Sequence, residues 1–330
     1  MSETRELGVL PRKTHGWRAE PETGVRIAVL IPCRDEEAAI AKVVTDFRAA
    51  LPGATIFVYD NNSTDRTIAA ARAAGAQVRT EMLQGKGHVV RRMFADVDAD
   101  VYVLVDGDDT YDAAAAPGMA RLLLERQLDM VCAARDVAAR AAYRPGHLFG
   151  NAVLSLMVRR VFGNGITDLL SGYRVFSRRF VKSFPALASG FETETEFTIH
   201  ALALHMPVAE MRAPYRERPV GSRSKLNTIS DGLRILREIV KLIEQERPLR
   251  FFAFIMAILL SSALGLGVPV IISFLHSGLV ERLPTALLSA SLVLLAFLAL
   301  GCGLVLDAVS RGRRELKRLA YLAVPPPPWV

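Results

Sequence analysis

The chain has 330 residues, enough for one large domain or two modest ones with a packed core. Its net charge of +7 and its 51% hydrophobic content are unevenly placed: the apolar excess falls after Phe251, and much of the positive charge flanks it. With no lysine-rich stripe interleaved with aromatics, the charge argues against nucleic acid and for anionic lipid or an anionic substrate.

Cys33, Cys132 and Cys302 are too far apart for a zinc cluster or a redox pair and read as free thiols in a reducing compartment. The first residues, with Glu3 and Glu6 and no apolar core before Pro11, do not read as a secretory signal, so the bulk of the chain is expected in the cytoplasm. Residues 1–24 form an N-terminal extension, and a domain is expected over 25–229.

Arg26 to Ile31 is a short apolar run rich in β-branched residues and predicts a buried strand ending at Pro32. An amphipathic stretch from Glu36 to Ala50 predicts a helix stopped by Pro52-Gly53. Thr55 to Tyr59 predicts a second strand, Asp65 to Ala74 a helix, Val78-Arg79 the start of a third strand, Gly87 to Phe94 a helix and Val101 to Val105 a fourth strand. Strands alternating with helices predict an α/β domain with a mostly parallel central sheet and ligands beyond the strand C-termini.

Each predicted strand exit carries polar residues: Cys33, Arg34, Asp35 and Glu36 after the first, Asp60 to Ser63 after the second, Asp106 to Asp109 after the fourth. Carboxylates gathered along one sheet edge repel one another unless a cation or ligand hydroxyls lie between them. Asp106 and Asp108 flank Gly107 directly after an apolar strand, a spacing that aims two hard oxygen donors at Mg²⁺ or Mn²⁺ shared with a diphosphate; an acidic turn is the bland alternative. Gly85-Lys86-Gly87 before a helix suits a phosphate or a simple helix start, and it is not a P-loop.

Between Ser230 and Gln245, Leu233, Leu236, Val240 and Ile243 recur at helical spacing, so 230–248 reads as an amphipathic juxtamembrane helix or as a helix packed on the domain. Phe251 to Leu275 and Leu283 to Leu306 are uncharged, and the first would reach about 37 Å as a helix against a hydrocarbon core of about 30 Å. The short link from His276 to Arg282 makes them a transmembrane hairpin within 249–309. Arg247 and Arg250 precede it and Arg311, Arg313, Arg314, Lys317 and Arg318 follow, which puts both ends on the cytoplasmic side of the cell (inner) membrane. Residues 310–330 are expected to be a basic tail, extended at Pro325 to Pro328.

VLIPCRDEEAAI, YDNNSTDRT, GKG and VDGDDTYD in this order resemble the family 2 glycosyltransferases, whose nucleotide-sugar domain has the GT-A fold. TDLLSGYRVFSRR, GFETETEFTIHAL and PYRERPVGSRSKLNT are similar to the branch that makes polyprenyl-phosphate sugars, and the resemblance covers about 27 to 245. It implies inverting, metal-dependent transfer of a hexose from a nucleotide sugar, a UDP-sugar before GDP-mannose, to polyprenyl phosphate at a membrane; homo-oligomerisation stays open. It also implies that Pro32, Asp35, Glu36 and Asp60 line the base and ribose pocket with Lys86 nearby and Gly107 at the donor. Asp106 and Asp108 would hold the metal, Asp168 would lie near the acceptor as a catalytic residue, and Arg174, Arg223, Ser224 and Lys225 would contact the acceptor phosphate. Two positions depart from the family pattern: Thr110 stands where many relatives carry glutamine, and Asp60-Asn61 stands where an acidic pair is usual. Rival readings are a transferase acting on a saccharide hydroxyl and a non-catalytic binding scaffold.

Overall fold

The structure, a computed structural model, describes residues 24–135, 166–190, 192–216, 237, 240–241 and 243–328. Its strands are β1 (Ile27–Cys33), β2 (Thr55–Asp60), β3 (Gln77–Thr80), β4 (Val101–Leu104), β5 (Met130–Arg135), β6 (Arg174–Ser177) and β7 (Val208–Ala213). Around them lie helices α1 (Ile40–Ala50), α2 (Thr67–Ala73), α3 (Lys86–Asp96), α4 (Ala116–Glu125), α5 (Arg178–Ser183) and α6 (Thr193–Ala203). Two long helices follow, α7 (Pro248–Ser277) and α8 (Leu283–Leu322).

The strands form one sheet in the order β3-β2-β1-β4-β6-β5-β7. All neighbours are parallel except β6, which runs antiparallel to both β4 and β5. The mostly parallel α/β sheet expected from the alternation of strands and helices is present. β1 shows why its sequence is apolar throughout: Val29 and Ile31 enter the core under α1 and α4, while Ala28 and Leu30 enter the core on the α3 and α5 face. A strand covered on both faces has no solvent side to mark with polar residues.

β1 runs through Pro32 instead of stopping there. Its pairing with β4 ends at Leu30↔Leu104, and Val105 N–H closes on Leu30 O, so the proline nitrogen interrupts no ladder bond on that side. α1 begins at Ile40, later than the expected Glu36, because Glu36 and Asp35 are drawn into contacts with the segment after β2.

α7 and α8 are both long and apolar enough to cross a membrane. They pack through small residues: Ala263 and Ala296 are buried between them, Ser289 Oγ donates to Ala263 O at 2.8 Å, and a Cβ at Gly303 would press on Phe252 Cβ at 2.8 Å. Phe254, Ile271, Phe297 and Leu298 point outward.

α8 does not end near residue 306, and no element boundary falls at 310. The helix continues to Leu322, with Arg311 paired to Asp307 at 2.6 Å one turn back and no proline before Pro325 to stop it. Its far end docks on the domain. Tyr321 Oη donates to Asp129 Oδ2 at 2.8 Å and Arg179 Nε donates to Val324 O at 2.9 Å, while Lys317 pairs with Glu246, just before α7, at 2.6 Å. The 230–236 part of the expected juxtamembrane helix lies outside the described residues.

Candidate active site

Because every strand but β6 points the same way, the exits of β1, β2, β4, β5 and β7 gather on one edge of the sheet. A cavity of about 320 Å³ opens there. β1 contributes Pro32, Arg34 and Glu36 to its wall, β2 contributes Asn61, and the turn into α3 contributes Gln84, Gly85 and Lys86. β4 delivers Asp106, Gly107, Asp108 and Tyr111, β5 delivers Arg135, and Glu194 and Tyr215 close the far side.

The glycines of Gly85-Lys86-Gly87 serve a close backbone approach. Gly85 has φ 132°, a Cβ on either glycine would collide with the Ala188-Ser189 backbone, and Gly87 N–H donates to Ser189 O at 3.1 Å. Lys86 is thereby carried into the cavity wall, where its ammonium contacts both Asp106 Oδ1 and Glu194 Oε1. Burial disfavours the ammonium, but the two carboxylates outweigh it and raise the Lys86 pKa. Burial pushes the Glu194 pKa up, and Lys86 offsets only part of that rise.

Asp106 and Asp108 both face the cavity. Asp108 Oδ1 accepts Thr110 N–H at 3.2 Å and Thr110 Oγ1 at 2.6 Å, so the buried Thr110 supports the aspartate from behind and is absent from the cavity wall. A Cβ at Gly172 would collide with Asp106 Oδ2, so only glycine there leaves room for this carboxylate. No group of three or more His, Cys, Asp or Glu suited to a metal occurs among the described residues. Two carboxylates fit a Mg²⁺ or Mn²⁺ ion that takes its remaining ligands from diphosphate oxygens and water, the usual arrangement for Mg²⁺ beside a phosphate substrate.

The expected base and ribose residues divide. Pro32 and Glu36 line the cavity; Asp35 and Asp60 do not. Asp35, at φ 48°, accepts Thr64 N–H at 2.7 Å and ties the β1 exit to the β2 exit. Asp60 is buried, with Oδ2 accepting Ser63 N–H at 3.1 Å. Asn61 reaches the cavity in its place. Its Nδ2 donates to Glu81 O and Leu83 O at 2.9 and 2.8 Å, and its Oδ1 accepts Gly85 N–H at 2.7 Å. An aspartate could not make the two donations, which accounts for the departure at this position.

Two expectations for the acceptor side change. Arg174 is fully buried in the sheet, its guanidinium spent on Ser171 O, Leu169 O and Thr198 Oγ1 at 2.8–3.0 Å and stacked over Phe197, so it presents nothing to a phosphate in the cavity. Asp168 is also buried and reaches the cavity only through Arg135, whose Nε and one terminal nitrogen each donate to it at 2.7 Å. Burial works against the Asp168 charge, yet the Arg135 hydrogen bonds hold its pKa below the ordinary carboxylate value. With Arg34 on the β1 side, Arg135 faces the cavity from the β5 side, over the Tyr215 ring at 5.5 Å. Sequence reasoning missed it, although it stands at the exit of an apolar strand as Asp106 nearly does. Arg223, Ser224 and Lys225 lie outside the described residues.

Residues 28–184 match the family described as glycosyl transferase family 2. An uncharacterised Shigella flexneri protein is 52% identical over 155 residues, covering 47% of this chain and 95% of its own length. A dolichyl-phosphate hexose transferase of Haloferax volcanii is 28% identical over 221 residues, 67% of this chain and 95% of its own. Among solved structures, glucosyl-3-phosphoglycerate synthase from Mycobacterium tuberculosis in complex with Mg²⁺ and uridine diphosphate superposes with a TM-score of 0.55 at 23% identity, covering 68% of this chain and 79% of that one. That likeness establishes the GT-A-like fold. The matched motifs, the sheet and the acidic cavity at its edge agree on one assignment: this chain belongs to glycosyl transferase family 2 and is a glycosyltransferase.

Proposed function

We propose that the protein transfers a hexose, with inversion, from a nucleotide sugar to a polyprenyl phosphate at the cytoplasmic face of the cell membrane, a UDP-sugar being favoured over GDP-mannose. The observation that carries this reading is the pairing, across one cavity, of the Asp106 and Asp108 carboxylates with the Asp168-held Arg135 guanidinium, in a chain that continues into two membrane-length apolar helices. The acidic side suits a diphosphate with its counter-ion, and the guanidinium suits a second phosphate. The dolichyl-phosphate hexose transferase relative supports a lipid phosphate acceptor, and the Mg²⁺ and uridine diphosphate in the solved neighbour support a metal and a uridine donor.

In this mechanism Glu36 and Asn61 border the nucleoside end of the donor, with Pro32 beneath it. Asp106 and Asp108 hold Mg²⁺ or Mn²⁺, which when bound neutralises charge on the departing diphosphate. Arg135 grips the acceptor phosphate, and Asp168 fixes the guanidinium plane so that its outer face stays turned to the cavity. Arg223, Ser224 and Lys225 complete the acceptor site. One phosphate oxygen attacks the anomeric carbon as the bond from that carbon to the nucleoside diphosphate breaks. A phosphate is already ionised near neutral pH, so no side chain has to remove a proton. The hairpin keeps the cavity where a lipid-borne phosphate meets a water-soluble donor, with both chain ends in the cytoplasm.

Purified full-length protein in bilayers, given UDP- and GDP-sugars with Mg²⁺ or Mn²⁺ and polyprenyl phosphate, is expected to yield a lipid heavier by one hexose. Transfer to a saccharide hydroxyl with the lipid left unmodified would overturn the reading.

A further inference from the structure

Among the described residues of the domain, only three large apolar side chains are exposed: Met82 at 75%, Leu83 at 55% and Leu187 at 70%. They are not scattered. Met82 and Leu83 directly precede the Gln84-Gly85-Lys86 wall of the cavity, and Leu187 stands two residues before Ser189, whose carbonyl accepts Gly87 N–H. All three therefore sit on one rim of the cavity mouth, on two loops that pack backbone against backbone.

Both loops are held from beneath. Asn62 Nδ2 donates to Met82 O at 2.9 Å, Asn61 Nδ2 donates to Leu83 O at 2.8 Å, and Leu83 N–H donates to Glu81 Oε1 at 2.8 Å. On the second loop, Leu187 N–H and Ala188 N–H each donate to the buried Glu196 carboxylate at 2.9 Å. With the backbone satisfied, nothing in the hydrogen bonding requires apolar side chains at the tips, and leaving such surface in water is unfavourable.

The Leu187 loop is joined to the hairpin through α5. α8 docks along α5, which leads into the Leu187 loop, through Arg179 over the Tyr321 ring at 5.1 Å and the Arg179 bond to Val324 O. Burial raises the Glu196 pKa, and the Leu187 and Ala188 N–H groups and then the Lys317 charge on α8 offset part of that rise. Along the same extension Leu316 and Leu319 are exposed among the basic Arg311, Arg313 and Arg318, a mixture suited to an anionic headgroup layer.

We infer that Met82, Leu83 and Leu187 form a lipid-contacting rim that seats the cavity mouth in the headgroup boundary of the bilayer beside the hairpin. The occupant is bilayer phospholipid, and the inference rests on the membrane-bound, lipid-phosphate reading above. Three apolar tips at the interface bury surface without spanning, as interfacial apolar faces do, and they bring the mouth to the depth at which a lipid phosphate lies.

The test uses the full chain reconstituted in bilayers containing brominated phospholipid, in a Trp17→Phe, Trp329→Phe background that silences both native tryptophans. Single tryptophans are placed by Leu83→Trp or Leu187→Trp at the rim, by Phe254→Trp in α7, and by Thr55→Trp at the opposite sheet edge. The rim tryptophans are expected to lose about half as much emission as the one at 254 or more, and the one at 55 to lose none. Quenching at 254 but not at 83 and 187 overturns the rim and leaves the hairpin standing. No quenching at 254 overturns the hairpin, and the rim with it. A rim tryptophan that answers added polyprenyl phosphate but not brominated phospholipid assigns the surface to the acceptor chain and overturns the proposal. The Leu83→Ser, Leu187→Ser variant is expected to raise KM for polyprenyl phosphate in bilayers about fivefold while leaving KM for the nucleotide sugar unchanged. An equal rise in both also overturns it.

Discussion

The Lys86 ammonium meets the Glu194 carboxylate inside the cavity wall, both side chains almost wholly buried and 108 positions apart in sequence. Asp106 shares the same ammonium, so one cation balances two carboxylates in a poorly hydrated place. Removing the cation leaves the buried Glu194 charge unpaired and facing the part-exposed Asp106. Lys86→Met is therefore expected to cost about 3–5 kcal/mol of stability, and Lys86→Met, Glu194→Gln to recover a large part of it. Denaturant unfolding of both variants measures this, and additive losses would show that the pair is not coupled.

Asp106 and Asp108 are expected to matter for turnover more than for folding. Asp108→Asn keeps the shape that accepts the Thr110 hydroxyl, and Asp106→Asn keeps the side chain beside Gly172. Each is expected to lower kcat by about a hundredfold or more with membrane insertion intact. Chelation of divalent ions is expected to abolish transfer in the wild type, and Mg²⁺ or Mn²⁺ to restore it. Unaltered transfer after chelation would remove the metal from the mechanism.

Arg135 and Asp168 have separable roles. Arg135→Lys retains a positive charge but cannot reproduce the two parallel bonds to Asp168. It is expected to raise KM for polyprenyl phosphate about tenfold while KM for the nucleotide sugar stays near the wild-type value. Asp168→Asn is expected to act the same way but more weakly, because it loosens the guanidinium without deleting it. Steady-state kinetics with each substrate varied in turn decides the matter: a larger effect on the donor would move Arg135 to the diphosphate side.

The legible parts of this site were those in which an apolar strand ends on polar residues, as at Asp106 after β4 and Glu36 shortly after β1. Which of two arginines faces the ligand was not legible. Arg174 belongs to a recognisable motif, yet its place between Leu104 and Cys132 in the sheet turns it into the core, and Arg135 on the neighbouring strand takes the exposed end. Strand register, set by contacts distant in sequence, decides that. The acids at the start of α6 are likewise placed by contacts distant in sequence. Glu192, Glu194 and Glu196 are all buried, where a run of acids ordinarily marks a solvated face, because backbone N–H groups of 187–190 and the Lys86 ammonium receive them.

His200 gives the domain an acid-sensitive element. It is buried among Phe180 and Phe184, with Nε2 at 3.2 Å from Ser183 Oγ, and burial, aided by Lys317, lowers its pKa to about 3 from 6.5. The folded pKa lies below the unfolded one, so the unfolded chain takes up the proton first as the pH falls. The contribution is fully present above about 6.5 and is lost progressively toward about 3, with a slope approaching about 1.4 kcal/mol per pH unit. Stability measured by denaturant across this window is expected to fall in the wild type and to fall less in His200→Gln. Equal slopes would mean that His200 titrates normally in the folded protein.

Tyr321 joins the end of α8 to the domain through Asp129, a buried carboxylate whose other oxygen accepts Ser177 Oγ at 2.6 Å. Ser177 in turn caps α5 by accepting Phe180 N–H at 3.1 Å, so docking of the helix and the start of α5 share one chain of hydrogen bonds. Tyr321→Phe removes the hydrogen bond to Asp129 and the long one accepted from Arg179 at 3.5 Å but keeps the ring under the Arg179 guanidinium, and is expected to cost about 1 kcal/mol. Tyr321→Ala removes both contacts. In this variant amide exchange is expected to quicken in 178–183 and at Ala323 and Val324 while β2 and β3, far from the contact in the sheet, exchange as before. Unchanged exchange in α5 for Tyr321→Ala would show that the domain holds its place over the hairpin without this contact.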